Sequence, residues 1–203
     1  MKLYLSSGNP HKTEEFQALI RSSGLPLEIL SAQMVGGMPQ VVEDAGTFVG
    51  NARKKALALK ARVPAEAWVL ADDSGICVDA LAGAPGVESA YYAGPAHDAA
   101  ANLRKLTETM RGVPQGKRGA QFVCVLLLLG SAGVERTFEG RCHGRLGNEP
   151  LGGSGFGYDP LFVPEGFVKT YAQLSDAEKN QISHRSKAWT QLAEWLRPLI
   201  GKE

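Results

Sequence analysis

The sequence lacks several features that would place the protein in a special class. It has only three cysteines in 203 residues, Cys77, Cys124 and Cys142, and no C-x-x-C pair. This odd number and these spacings argue against a disulfide framework and against a zinc site. Lys and Arg number 22 against 21 Asp and Glu. There is therefore no basic field to indicate nucleic acid as the main partner.

Long apolar runs are also missing. The longest, Phe122 to Leu129, is too short to cross a bilayer, so we expect no membrane partner. The first residues carry too short an apolar run for a signal peptide, and we expect a cytoplasmic protein. With 44% hydrophobic and 21% charged residues, the composition is that of an ordinary globular protein. Without repeats or linkers, we expect one domain over residues 1–203, with two lobes and a central cleft.

Hydrophobic periodicity predicts an α/β fold. The predicted strands lie at 2–6, 27–30, 68–71, 121–129 and 135–145. The predicted helices lie at 13–23, 47–62 and 97–110, with one or two more in 176–196. Alternating strands and helices favour a parallel arrangement, whereas the pair joined through Ser131-Ala132-Gly133 has the pattern of an antiparallel hairpin. The sequence therefore predicts a mixed sheet flanked by helices.

The most informative segment is Asp72-Asp73-Ser74-Gly75. It follows the apolar run Trp68 to Ala71, where we expect a buried strand to end. Paired carboxylates at the carboxyl end of a strand can hold Mg²⁺ and polarise a water molecule. Asp, Ser and Gly are all turn formers, so a plain turn is the alternative.

A second polar segment connects the first predicted strand to the first predicted helix. It reads Ser7-Gly8-Asn9-Pro10-His11-Lys12. Backbone N–H groups and the helix dipole attract anions at such a position. Asn9 and Lys12 offer a hydrogen bond and a point charge to phosphate oxygens. The segment is not a Walker A loop, and an ordinary helix start is the alternative.

An acidic pair, Glu43-Asp44, precedes Thr47, which can cap the following helix. Acidic residues before a cap also suit the helix dipole, which is the structural alternative. Together with Asp72 and Asp73, the pair would supply enough oxygen ligands for Mg²⁺. This ion usually takes one or two carboxylates and completes its shell with water and substrate phosphate.

Two later segments have the composition of nucleotide contacts. The Gly-rich run Gly152 to Pro160 allows tight turns, and Phe156 and Tyr158 offer flat faces on which a base could stack. A β-bulge or a hinge is the alternative. The second segment carries Lys179, His184 and Arg185. These side chains offer donors for phosphates or a base carbonyl, and a solvated helix end is the alternative.

Six segments of the sequence carry a resemblance to a known family. In chain order they are SGNPHK, the acidic pair with Thr47-Phe48 and Asn51-Ala52, ADDSG, APGVESA, GGSGFGYDPLF and EKNQISHRSKA. Together they resemble the inosine triphosphate pyrophosphatase family, also called the non-canonical purine nucleoside triphosphatase family (the HAM1 type). The resemblance spans nearly the whole chain. It implies Mg²⁺-dependent hydrolysis of inosine, deoxyinosine and xanthosine triphosphates (ITP, dITP and XTP) to the monophosphate and pyrophosphate, which removes deaminated purines from the nucleotide pool. It also implies a cytoplasmic homodimer and an elongated mixed β-sheet flanked by helices, with the site in a cleft between two lobes.

The resemblance further implies roles for individual residues. Asp73 matches the metal-contacting proton acceptor, and Glu43 matches a second metal ligand. Glu43 and Asp44 compete for that role, because other members often have one further residue before Thr-Phe. The family's frequent arginine in an S-A-R-Y context is replaced here by Tyr91. The implied substrate-binding residues are Ser7, Gly8, Asn9, Pro10, His11, Lys12, Ser74, Phe156, Gly157, Tyr158, Asp159, Lys179, His184 and Arg185.

These roles suggest a mechanism as a hypothesis. Mg²⁺ would bridge the carboxylates and the triphosphate, while Asp73 activates a water molecule for attack at the α-phosphorus. Two alternatives remain open. A Maf-like pyrophosphatase would act on other modified nucleotides, and a non-catalytic nucleotide- or RNA-binding module would bind without turnover.

Overall fold

The computed structural model describes residues 1–200, and six strands form one sheet in the order β2-β1-β3-β4-β5-β6. The strands are β1 (Lys2–Ser6), β2 (Glu28–Ser31), β3 (Trp68–Val78), β4 (Gly119–Leu129), β5 (Glu135–Leu146) and β6 (Phe162–Pro164). Strand β1 pairs in parallel with β2 and β3, and β5 pairs antiparallel with β6. The predicted mixed sheet is confirmed. Strand β6 was not predicted, because a strand of three residues is too short to show hydrophobic alternation.

Within residues 1–200, five α-helices accompany the sheet. They are α1 (Pro10–Ser23), α2 (Phe48–Lys60), α3 (Ala99–Thr109), α4 (Asp176–Ile182) and α5 (His184–Ile200). Capping side chains fix several of the starts: the Asn9 oxygen accepts from the His11 N–H, and the Thr47 hydroxyl accepts from the Gly50 N–H. Helix α1 begins three residues earlier than predicted, because proline is well suited to the first turn. No helix within residues 1–200 has the length and apolarity needed to cross a membrane.

The chain divides into two compact units. Unit 1 comprises residues 1–73, 124–140 and the chain from 185 onward, and unit 2 comprises 74–123 and 141–184. Strands β3, β4 and β5 contribute residues to both. The expectation of one domain with a cleft between two lobes concerns the arrangement of these units, and it stays a prediction.

Unit 1 has apolar clusters on both faces of its strands. Leu70 of β3 belongs to the cluster that includes Phe16 of α1 and Trp189 of α5. Its neighbour Val69 belongs to the cluster that includes Ala56 of α2. Because successive strand side chains point to opposite faces, Leu70 and Asp72 of β3 lie on the face toward α1 and α5, and Val69, Ala71 and Asp73 lie on the face toward α2.

Unit 2 has one cluster of its own. Its aromatic centre is formed by Phe122, Phe162 and Tyr171, whose ring centroids lie 4.9 to 5.7 Å apart. Leu106 of α3 is buried in the same cluster.

Strand β3 does not end at Ala71, and this corrects the prediction. It continues through Asp72-Asp73-Ser74-Gly75 to Val78. Neither aspartate is a favourable strand residue. Both are nevertheless buried, because each carboxylate has a cationic partner on the face to which it points.

The hairpin prediction is confirmed by the connection between β4 and β5. These strands are neighbours in the sheet, and the Gly130 N–H donates to the Val134 carbonyl at 2.8 Å. A parallel pair would need a connection of about a dozen residues. The short link therefore makes the pair antiparallel.

Candidate functional site

Asp72 lies at the centre of a buried ion cluster in unit 1. One carboxylate oxygen pairs with the Lys12 ammonium, and the other accepts from Arg185 Nε at 3.0 Å. The Cys124 thiol donates to that second oxygen at 3.2 Å. Burial alone would raise the pKa of Asp72, but the charges of Arg185 and Lys12 outweigh it and hold that pKa well below its ordinary value. Asp72 is therefore ionised at neutral pH.

Arg185 is itself fully buried, and its guanidinium also pairs with Glu15. Burial favours the neutral form, yet Asp72 and Glu15 raise the pKa of Arg185 well above its ordinary value. The predicted substrate contact of Arg185 stays a prediction. In this structure its guanidinium connects α5 to α1 and β3.

The predicted phosphate loop leads into α1. The Ser7 hydroxyl accepts from the Asn9 N–H at 3.1 Å, and the Asn9 side chain accepts from the His11 N–H at 3.0 Å. His11 Nδ1 lies 3.7 Å from Glu14 on the exposed side of the helix, while Lys12 turns inward to Asp72. Gly8 has open space where a Cβ would lie, and Pro10 is the first helical residue. The loop thus ends at the N-terminus of α1, and the inward-pointing Lys12 lies in the first turn of that helix.

Asp73 points to the opposite face of β3, where it meets a lysine that the sequence did not predict as a site residue. Lys55 Nζ lies 2.6 Å from Asp73 Oδ1 and 3.1 Å from Glu43 Oε2. Burial would lower the pKa of Lys55, but the two carboxylates raise it above its ordinary value. One buried ammonium therefore joins the two predicted metal ligands.

Burial raises the pKa of Asp73 to about 6, although the Lys55 charge opposes this shift. The second oxygen, Oδ2, is buried and has no hydrogen-bond partner among residues 1–200. A buried carboxylate oxygen without a donor is costly unless a ligand or a water molecule completes it. Asp73 is thus ionised near neutral pH and titrates close to it, as a proton acceptor requires.

The structure separates Glu43 from its competitor Asp44. Glu43 shares Lys55 with Asp73, whereas Asp44 pairs with Lys54. That pair is largely exposed, with 43% of the Lys54 side chain and 64% of the Asp44 side chain accessible. Of the two acids, Glu43 is the one placed beside Asp73.

Of the four acids considered as metal ligands, Glu43 and Asp73 share a partner, the Lys55 ammonium. Among residues 1–200 no group of three or more His, Cys, Asp or Glu side chains could hold a metal ion. Mg²⁺ commonly uses one or two protein carboxylates and takes its other ligands from water and phosphate. Glu43 and Asp73, with the unpaired Asp73 oxygen, fit that requirement.

Within unit 2, the Gly-rich segment is organised around Asp159. Its Oδ2 accepts from Lys179 Nζ at 2.8 Å and from the Phe156 N–H at 2.9 Å. Lys179 Nζ also lies 5.1 Å from the centroid of the half-buried Phe156 ring. A Cβ at Gly155, where φ is +74°, would lie 2.2 Å from Asp159 Oδ2. Three predicted substrate residues are therefore locked together, and the closeness of the carboxylate requires glycine at 155.

Tyr158 and His184 pack into the core of unit 2. The Tyr158 hydroxyl donates to the Ser89 carbonyl at 2.8 Å, and burial raises the pKa of this phenol. The His184 ring stacks on Phe122 with centroids 4.7 Å apart. Ser74 is half-buried in β3, and Gly157 has a positive φ of 61°. Their assigned roles as substrate contacts stay predictions.

The structure thus gathers the predicted residues into three clusters, two in unit 1 and one in unit 2. In unit 1, Lys12, Asp72 and Arg185 form one cluster, and Glu43 and Asp73 form another around Lys55. In unit 2, Phe156, Asp159 and Lys179 form a third. The convergence of all four polar segments stays a prediction.

Two residues of these clusters, Lys55 and Glu15, escaped prediction, although helical spacing marks both. Lys55 shares the buried face of α2 with Ala52, Ala56 and Leu59. A lysine on an apolar face is the signal that would have found it. Glu15 lies three residues after Lys12 on α1, so helical spacing places the two side chains on the same face.

Comparison with known proteins gives a consistent result over nearly the whole chain. The sequence profile of the Ham1 family matches residues 3–195. A protein of Opitutus terrae named dITP/XTP pyrophosphatase is 61% identical over 201 residues, which cover 97% of this chain and 99% of that protein. Solved structures of a Ham1 protein from Staphylococcus aureus and a HAM1 protein from Coxiella burnetii have TM-scores of 0.84 and 0.85. Each is 34% identical, and each comparison covers 98% of this chain and 99% of the other.

Proposed function

Because the chain belongs to the Ham1 family, we propose that it hydrolyses dITP, XTP and ITP to the nucleoside monophosphate and pyrophosphate. Relatives that carry the name dITP/XTP pyrophosphatase support this substrate class. The observation in the structure that carries the proposal is Asp73, a buried carboxylate with a pKa of about 6 and one oxygen without a donor.

Asp73 is the proton acceptor in this proposal. It takes a proton from the water molecule that attacks the α-phosphorus, and pyrophosphate leaves in line with the attacking oxygen. A base is most effective when its pKa is near the working pH. A free aspartate is too weak a base for this purpose, so the rise in the pKa of Asp73 serves the reaction.

Glu43 and Asp73 are the residues that would hold Mg²⁺. When bound, the ion would neutralise charge on the triphosphate and lower the pKa of a water molecule. Lys55 holds the two carboxylates at its ammonium, 3.1 and 2.6 Å away. Its positive charge lies beside both carboxylates and orients them, which reduces the cost of placing the two acids side by side.

The polyphosphate contacts would come from the loop Ser7 to Lys12. The first N–H groups of a helix bind anions because they have no partner within the helix. Lys12 adds a positive charge next to this end of α1, and Asp72 holds its ammonium in place. Ser74 follows Asp73 directly along β3 and is the further contact that the family resemblance implies.

The resemblance implies that base contacts come from the Gly-rich segment. Phe156 offers a face for stacking, and Lys179 lies over the same ring. Selection for a 6-oxo purine needs donors that face O6, because a 6-amino group would leave them unpaired. We assign this role to backbone N–H groups of the Gly-rich segment, such as that of Gly157, and to His184. The homodimer and the cytoplasmic location implied by the resemblance stay predictions.

The test is a substrate panel with products resolved. Purified protein is incubated with dITP, XTP, ITP, ATP and GTP, with and without Mg²⁺, and pyrophosphate is separated from orthophosphate. We expect selective, Mg²⁺-dependent release of pyrophosphate from the first three. Orthophosphate release would place attack at the γ-phosphorus, preference for other bases would favour a Maf-like enzyme, and binding without turnover would favour a nucleotide-binding module.

Matched variants test the residue assignment. Asp73→Asn should abolish turnover with the fold intact, and Glu43→Gln should raise the Mg²⁺ concentration required. The control is Asp44→Asn, which alters the neighbouring acid that pairs with Lys54 on the surface. Substantial pyrophosphate release by Asp73→Asn would remove Asp73 from its role. A larger Mg²⁺ effect in Asp44→Asn than in Glu43→Gln would reverse the choice of ligand.

A further inference from the structure

The loop that carries Glu43 is attached to α2 by an asparagine that has no role in the proposed chemistry. Asn51 is completely buried in the first half of α2. Its side-chain oxygen accepts from the Ala45 N–H at 3.0 Å. Because a backbone N–H is a donor, the atom that faces it must be the amide oxygen, so the orientation of the Asn51 amide is determined.

The other half of this amide supports a positioning role. Asn51 Nδ2 is buried and has no hydrogen-bond partner among residues 1–200. A buried donor without a partner destabilises a folded protein, and an apolar residue would avoid that cost. Core stability alone therefore does not favour asparagine at position 51. The hydrogen bond to Ala45 is the interaction that asparagine gains.

The surrounding contacts show that this stretch of chain is seated closely on α2. A Cβ at Gly50 would lie 2.6 Å from the Ala45 Cβ and 2.9 Å from Thr47 Oγ1. The Thr47 hydroxyl also accepts from the Gly50 N–H at 3.1 Å. The chain from Ala45 to Thr47 thus rests on the first turn of the helix, and Asn51 follows Gly50 at the end of that turn.

Glu43 lies two residues before Ala45, and Lys55 lies one helical turn after Asn51. The same helix therefore holds the loop through Asn51 and meets the Glu43 carboxylate through Lys55. The geometry points to Asn51 as a positioning residue that sets the distance of Glu43 from Lys55 and Asp73 by fixing the Ala45 N–H. This inference rests on the proposed function of Glu43 as a ligand.

The first test measures the structure without turnover. Amide hydrogen exchange at Ala45 is compared in the metal-free wild type, Asn51→Ala and Asn51→Asp. A hydrogen bond of ordinary net strength should protect the amide about two- to tenfold. We expect Asn51→Ala to lose this protection and Asn51→Asp, which keeps an oxygen at the acceptor position, to retain it. Unchanged exchange in Asn51→Ala would overturn the inference.

The second test asks whether Asn51 acts through Glu43. Alanine is the best helix former, so Asn51→Ala should remain folded. We expect its kcat/KM for dITP to fall about 10- to 100-fold, with a raised requirement for Mg²⁺, as for residues that orient metal ligands. In a Glu43→Ala background the same substitution should cost almost nothing, because residues that act as a unit are not additive. Full additivity would mean a purely structural role and would overturn the inference.

Asn102 is the matched control. It is a buried asparagine of α3 whose oxygen also accepts from a backbone N–H, that of Ala93, at 2.6 Å. Asn102→Ala should reduce stability and leave kcat/KM within about twofold. A comparable loss of activity in Asn102→Ala would overturn the specific role of Asn51. If the wild type itself releases no pyrophosphate, the proposed function fails, whereas the exchange result at Ala45 stands by itself.

Discussion

Removal of the Lys55 charge should move the titration of Asp73 upward. Lys55 Nζ lies 2.6 Å from Asp73 Oδ1, and only 10% and 7% of the two side chains are exposed. The substitution Lys55→Met keeps most of the apolar stem and removes the cation. Burial then acts on Asp73 without its main opposing charge. The pKa of Asp73 should therefore rise from its value of about 6.

The size of the rise follows from the distance and the burial. Two unit charges about 4 Å apart interact by about 4 kcal/mol at an effective dielectric constant of about 20, which corresponds to an upper bound of about 3 pKa units. Observed shifts for such pairs are about 1 to 3 units, which places the pKa of Asp73 in the variant at about 7 to 9. At a pKa of about 8, only about a tenth of Asp73 would be ionised at about pH 7.

Two measurements test this shift. The carboxyl carbon of Asp73 is titrated by ¹³C NMR in the metal-free protein, which needs no activity. The pH profile of kcat/KM then reports the free-enzyme pKa of the base. In Lys55→Met, the midpoint of the NMR titration and the acidic limb of the kcat/KM profile should both move to higher pH.

Lys54→Met is the matched control, because Lys54 pairs with Asp44 on the surface. It should leave the Asp73 titration where it is. An unchanged midpoint in Lys55→Met would refute the reasoning. An equal shift in both variants would show that net charge, rather than the buried pair, is responsible.

Two further substitutions test the ion clusters. Asp72→Asn leaves Arg185 buried without its main partner and should lower the free energy of unfolding by about 3 to 5 kcal/mol in urea at neutral pH. Because the pKa of Asp72 is lowered, its contribution is present above the ordinary value of 3.8 and is lost as the pH falls below it. The variant and the wild type should therefore converge in acid, and equal stability at neutral pH would contradict the assignment. Gly155→Ala places a Cβ against the Asp159 carboxylate and should lower both stability and affinity for dITP, whereas Gly153→Ala, which has open space, should change neither. Equal effects of the two glycine substitutions on dITP binding would exclude this steric account.

Much of the fold was predictable because local pattern and tertiary structure agree. Alternating and helical periods gave β1, β4, β5 and the main helices, and the resemblance to the family is confirmed by the match over residues 3–195. Capping chemistry was a better guide to helix starts than periodicity. At α1, the asparagine and the proline that begin it outweigh the later onset of the apolar pattern.

The continuation of β3 through its two aspartates could not be predicted locally. Its partners Lys12 and Arg185 lie 60 and 113 residues from Asp72 in the chain. A window of sequence around Asp72 contains no sign of either cation, so turn propensity was the only local information. Lys55 was different, because its place among the apolar residues of α2 was visible in the sequence.

The two aspartates of β3 are adjacent in the chain, yet they lie on opposite faces of the sheet. The pKa of Asp72 is lowered, whereas that of Asp73 is raised. Only the alternation of the strand assigns each acid to its surroundings. A slip of one residue would turn each acid to the opposite face of the sheet, so that neither would keep its present partners. Residue count in β3 is thus as strictly constrained as residue identity. An insertion or deletion ahead of the pair should be more damaging than most substitutions within it.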